Sequence, residues 1–104
     1  MAEYITKPGE GVGLKDQARV ERPRKYKVLL HNDHYTTMDF VVEVLEDIFL
    51  RPRPDAVRIM LNVHQNGMGV AGVYVKQIAE AKVDKVHTAA RDHGYPLRCS
   101  LELE

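Results

Sequence analysis

The sequence has little of what would commit a small protein to a specialised class. Cysteine occurs once, as Cys99, which excludes an internal disulfide framework and fits a reducing compartment, where a lone cysteine packs as a small apolar residue. Neither charge is in surplus: 15 Lys and Arg face 15 Asp and Glu, so no global field draws the chain onto nucleic acid or an anionic membrane surface. The basic run Arg19, Arg22, Arg24, Lys25 and Lys27 is interrupted by Glu21 and reads as solvated surface. Serine also occurs once, as Ser100. With no glycine-rich phosphate loop and no nucleophile beside an obvious base, the sequence predicts no enzyme and no cofactor. No apolar run reaches the length of a signal-peptide core or a membrane span, so the cytoplasm is the expected location.

What is present suits one modest core. With 44% apolar residues in 104, the chain can bury the interior of a single domain and little more. Residues 1–24 hold Gly9, Gly11, Gly13, Pro8 and Pro23 among charges of both signs, without an apolar period, and read as a flexible N-terminal extension. Residues 25–104 are expected to form the folded domain.

Tyr26-Lys27-Val28-Leu29-Leu30 is a β-prone run, and His31-Asn32-Asp33-His34 breaks it with residues that favour a turn. Thr36 followed by Asp39 resembles a capping box, after which Met38, Val41, Val42, Leu45, Ile48 and Phe49 recur at helical spacing. Pro52 and Pro54 separate this helix from a second, whose stripe is Ala56, Ile59, Met60 and Val63 and whose end is Asn66-Gly67. Residues 70–75 read as a strand in which Gly72 signals a bulge or a close backbone approach. A third helix over about residues 76–93 turns Ile78, Ala79, Val83, Val86 and Ala90 inward, and Gly94 and Pro96 stop it. Leu97, Cys99 and Leu101 then alternate with polar residues, as in a half-buried strand. The order β-α-α-β-α-β predicts an α+β fold, a three-stranded antiparallel sheet with three helices packed on one face.

Five polar residues are poorly explained by that fold: His31, Asn32, Asp33 and His34 after the first strand, and His64 near the end of the second helix. His64 follows Met60 by four residues, which puts an imidazole and a thioether on one helix face. Each residue also has an ordinary explanation. Asn32-Asp33 suits a turn that bonds its own backbone, His64 suits a helix C-terminus, and Met38 and Met60 suit core filling. His31, His34, His64 and Asp33 could instead supply metal donors, although their spacing fixes no tetrahedral arrangement. On these residues alone the function stays open.

Six separated segments occur in a fixed order: Tyr26-Lys27-Val28-Leu29-Leu30-His31-Asn32-Asp33, Tyr35-Thr36, Met38-Asp39-Phe40-Val41, Met60-Leu61-Asn62-Val63-His64, Ala79-Glu80-Ala81-Lys82-Val83 and Pro96-Leu97-Arg98-Cys99-Ser100-Leu101. Through them the chain from Lys25 onward resembles the ClpS family, adaptors that deliver N-degron substrates to the Clp unfoldase and its protease.

That resemblance implies that Asn32, Asp33 and His64 hold the α-ammonium group of a substrate's first residue. The chemistry is sound, because a charged amine presents several donors that an amide oxygen, a carboxylate and a neutral imidazole nitrogen can accept. It implies a side-chain pocket formed by Leu30, Thr36, Met38, Val41, Met60, Val63 and Leu97 and taking a bulky hydrophobic first residue: Leu, Phe, Tyr or Trp. It also implies a monomer without bound metal that docks through Tyr35, Gln77 and Lys82 on the N-domain of a ClpA-type AAA+ unfoldase. The alternative is a ClpS-like modulator of the unfoldase that selects no N-degron. Three positions depart from the family's pattern: His34, at the pocket rim, stands where a second aspartate is usual, Thr37 where proline is common, and Gln77 where a glutamate is used. Loss of the carboxylate at His34 is expected to weaken ammonium binding or narrow the accepted first residues.

Overall fold

Three consecutive buried residues, Val28, Leu29 and Leu30, mark the strand at the centre of the sheet. The computed structural model describes residues 22–104, so most of the expected extension, residues 1–24, lies outside the described residues. The elements run β1 (Lys25–His31), α1 (Met38–Asp47), α2 (Arg53–Asn66), β2 (Met68–Val75), α3 (Lys76–Asp92) and β3 (Arg98–Leu103). Both β2 and β3 pair with β1 antiparallel, giving one three-stranded sheet in the order β2-β1-β3. The expected α+β fold and element order are therefore those of the molecule.

Strand alternation divides the sheet into two faces. Val28 and Leu30, both fully buried, join the core built with Phe40, Val44 and Leu45 of α1, Ala56, Ile59 and Val63 of α2, and Ala79, Val86 and Ala90 of α3. Leu29 points the other way, between its register partners Val70 and Ser100, and stands outside that core. The bulge signalled by Gly72 is present: the register with β1 slips between Val28 and Leu29, which leaves Ala71 unpaired. Gly72 also meets a close approach, since a Cβ at this position would overlap the ring of Tyr74.

Several local expectations change. Helix α1 is capped by Thr37 and not by Thr36: Thr37 Oγ1 accepts the Phe40 N–H at 3.1 Å, whereas Thr36 Oγ1 donates to Asp33. The helix ends at Asp47, before Ile48 and Phe49, and Lys82 Nζ donates to the Ile48 carbonyl at 2.6 Å, supplying a cation where helix carbonyls run out of partners. Ile78, expected inward on α3, is 47% exposed, because the helix starts at Lys76 directly after the strand and its buried stripe begins at Ala79. Strand β2 starts at Met68, two residues before the apolar run that announces it.

Two histidines grip adjacent residues of β3. His31 Nε2 is 2.7 Å from Ser100 Oγ, and the Cys99 backbone N–H donates to His87 Nε2 at 3.1 Å. Cys99 itself is buried, and that burial pushes its thiol up to about 12. It is packing material, as expected of a lone cysteine. Among the described residues no helix is long and apolar enough to cross a membrane.

Candidate functional site

The chain leaving β1 is held by a carboxylate that folds back on its own backbone. Asp33 Oδ1 accepts the N–H groups of Tyr35 and Thr36 at 2.8 and 2.7 Å, and Oδ2 accepts the Thr36 hydroxyl at 2.8 Å. The turn explanation for Asp33 is thus correct as far as it goes. An ionised carboxylate offers about four lone-pair positions, and this turn uses three of them, so Oδ2 keeps acceptor capacity for a ligand. Partial burial pushes the Asp33 carboxyl up. The backbone and hydroxyl donors of Thr36, the Tyr35 N–H and the Coulombic influence of the neighbouring His34 outweigh it, so the group sits below its ordinary range and is ionised near neutrality.

A second constraint sets this turn beside the end of α2. Gly67 closes that helix in the left-handed region, φ 90°, with its N–H on the Val63 carbonyl at 2.9 Å. Its own carbonyl then accepts the Asn32 N–H at 2.8 Å. The backbone at Asn32 is in this way tied to the terminus whose last turn carries His64, with Val63 beside it and Met60 one turn earlier.

Between the turn, α1 and α2 lies a cavity of about 290 Å³. Asn32, Asp33, His34 and His64 supply its polar lining, while Thr36, Met38, Val41, Met60 and Val63 supply the rest. Asp33 is the acid of this lining, and its company is an amide and two imidazoles, an acceptor-rich set suited to a small cation that carries several N–H donors. The apolar part is graded. Val41 and Val63 are buried, Met60 is half-buried, and Met38, taken as part of the buried stripe of α1, is 43% exposed at the opening.

Nine of the eleven residues expected to surround the first residue of a ligand line this cavity: Asn32, Asp33, His34, Thr36, Met38, Val41, Met60, Val63 and His64. Leu30 and Leu97 are the corrections. Both are buried in the core, at 0% and 4% exposure, and neither lines the cavity: Leu30 lies on the central strand between Gly69 and Cys99, and Leu97 packs in the same core. Of the residues weighed as metal donors, Asp33, His34 and His64 line the cavity, whereas His31 is turned to Ser100 and is absent from the lining. Among the described residues no three His, Cys, Asp or Glu side chains are grouped as a metal site requires. Of the residues expected to meet an unfoldase, Tyr35 is 77% exposed and Gln77 is exposed, whereas the Lys82 ammonium is engaged by the Ile48 carbonyl and stands 5.5 Å from the centre of the Tyr74 ring. The Asn32–Gly67 tie is not readable from side-chain patterns, although Asn66-Gly67 does announce the cap that creates it.

The family described as "ATP-dependent Clp protease adaptor protein ClpS" matches residues 21–100. This chain belongs to the ClpS family. Clp protease adapter proteins ClpS from Desulfatibacillum aliphaticivorans and Syntrophus aciditrophicus are 58% and 57% identical to it over 86 and 91 residues. Those stretches cover 83% and 88% of this chain and 83% and 85% of the two ClpS proteins. Among solved structures, Agrobacterium tumefaciens ClpS2 bound to L-phenylalaninamide superposes with a TM-score of 0.77 at 36% identity, covering 80% of this chain and all 100% of that one. ClpS proteins are adaptors of the Clp protease, and this chain has the ClpS fold.

Proposed function

We propose that this adaptor binds the free N-terminal residue of N-degron substrates and delivers them, in the cytoplasm, to the ClpA-type unfoldase of the ClpAP protease, without catalysing a reaction itself. The observation that carries the reading is the make-up of one cavity: an ionised Asp33 with spare acceptor capacity, flanked by Asn32 and His64, opens beside an apolar wall of Val41, Met60 and Val63. Asn32, Asp33 and His64 hold the α-ammonium, Thr36, Met38, Val41, Met60 and Val63 receive the side chain, and His34 stands at the rim. The ligand of the Agrobacterium relative, L-phenylalaninamide, joins a free α-amine to an aromatic side chain and supports this division of labour.

An aromatic side chain buries about 150–250 Å², worth roughly 4–6 kcal/mol at about 25 cal/mol per Å² before the cost of association. Micromolar binding needs about 8 kcal/mol net, so the ammonium contacts have to supply a comparable share. Leu, Phe, Tyr and Trp suit the pocket; a charged first side chain loses hydration it does not regain. Docking on the unfoldase N-domain uses Tyr35, Gln77 and Lys82.

Fluorescence anisotropy with peptides beginning Leu, Phe, Tyr, Trp and Lys, together with an N-acetylated Phe control, tests the reading. Binding of the first four and not of the Lys or acetylated peptide is expected. Equal binding of the acetylated control overturns the ammonium clamp.

A further inference from the structure

Gly69 is buried on β2, opposite Leu30 of the central strand, and faces the helices. Its backbone is not in the left-handed region, which among the described glycines only Gly67 and Gly94 occupy, so torsion alone would admit an alanine. Space would not. A Cβ on Gly69 would lie 2.9 Å from Val63 Cγ2 and 3.1 Å from Asn62 Nδ2, with the Val63 backbone nitrogen at 3.5 Å. Helix α2 therefore rests directly on the backbone of β2 at this point.

The two contacts differ in what they can yield. Asn62 is exposed, and its amide can swing into solvent. Val63 is 2% exposed and is β-branched within a helix, where one χ1 rotamer is strongly preferred, so it escapes mainly by moving its own helix. Val63 also lines the cavity, next to His64 and one turn after Met60. It is the layer between Gly69 and the ligand space.

We propose that Gly69 determines specificity from behind the pocket: the missing side chain lets α2 seat deeply, which fixes the distance of the Val63–His64 wall from Asn32 and Asp33 and hence the largest first residue accepted. This rests on the N-terminal-residue reading given above.

Anisotropy on the full chain with Leu-, Phe- and Trp-initiated peptides tests it. Gly69→Ala is expected to weaken the Phe and Trp peptides by about tenfold or more, the scale of one methylene in a hydrophobic pocket, and the Leu peptide less. In Val63→Ala the colliding methyl is gone, so adding Gly69→Ala to it should leave all affinities where Val63→Ala alone puts them. Unchanged affinities and rank order in Gly69→Ala, or an added loss in the double variant over Val63→Ala, overturn the proposal. If Gly69→Ala does not fold, the comparison of Val63→Ala with the double variant decides alone. A wild-type chain that binds none of these peptides, or binds their N-acetylated forms equally, defeats the N-terminal-residue reading instead, so the two failures are distinct.

Discussion

The Asn32 backbone N–H donates to the Gly67 carbonyl at 2.8 Å, tying the turn after the central strand to the C-terminus of α2. The acceptor is presented by a residue at φ 90°. Alanine at Gly67 would meet no atom within 4 Å, so its penalty is torsional, about 1–2 kcal/mol. Gly67→Ala is expected to lower urea-unfolding stability by that amount and to weaken peptide binding as well. Normal stability would show that the left-handed cap is dispensable.

Asp33 should shape the acid limb of the stability curve. Its carboxyl titrates below its ordinary 3.8 in the folded chain because the Thr36 and Tyr35 donors and His34 together outweigh the upward push of burial. A depressed acid contributes stability that is complete above the unfolded value and is lost as pH falls through the folded one. Thermal unfolding from pH 7 down to about pH 2 should therefore fall less steeply below about pH 4 for Asp33→Asn than for wild type. Parallel curves would remove Asp33 from the account.

At the rim, His34→Asp restores a second carboxylate beside Asp33. Affinity for a Phe-initiated peptide near neutral pH should rise up to about fivefold, the range of an exposed charge pair, and the gain should shrink with added salt. Identical affinities and an identical rank order of first residues would sink the idea that His34 tunes the clamp.

Thr37 caps α1 through its hydroxyl, so Thr37→Ala should cost about 1 kcal/mol and Thr37→Ser should recover most of it. Thermal melts of the three chains check this. A melt of Thr37→Ala equal to wild type would return the cap to Thr36.

Lys82 has work inside the chain as well as a proposed place on the unfoldase surface. Deleting its bond to the Ile48 carbonyl in Lys82→Ala should lower stability by about 1 kcal/mol. A lost association with the unfoldase in that variant has to be compared at a temperature where both chains are folded. An unchanged melting temperature would show that the bond adds nothing.

Element order and fold class were legible in the sequence because each depends on local pattern, whereas most of the cavity lining was carried by the resemblance to ClpS proteins. Helical spacing located α1, α2 and α3, and proline and glycine marked their ends. The misses have physical causes of another kind. Leu30 and Leu97 are apolar in the same way as Val41 and Val63; which of these reach the cavity depends on how three elements cross, which no one-dimensional period records. Thr36 and Thr37 are chemically equal, and the choice of cap went to Thr37 because Asp33 had already taken the Thr36 hydroxyl. Ile78 is exposed where helical spacing predicts it inward, because a strand running straight into α3 shifts the phase of the buried stripe.

The burial of Cys99 supplies a built-in clock. A thiol raised to about 12 and shut inside the core offers almost no thiolate to an alkylating reagent at neutral pH. Labelling must then wait for the packing around β3 to open, so the rate of iodoacetamide uptake counts openings of the intact chain without any engineered probe.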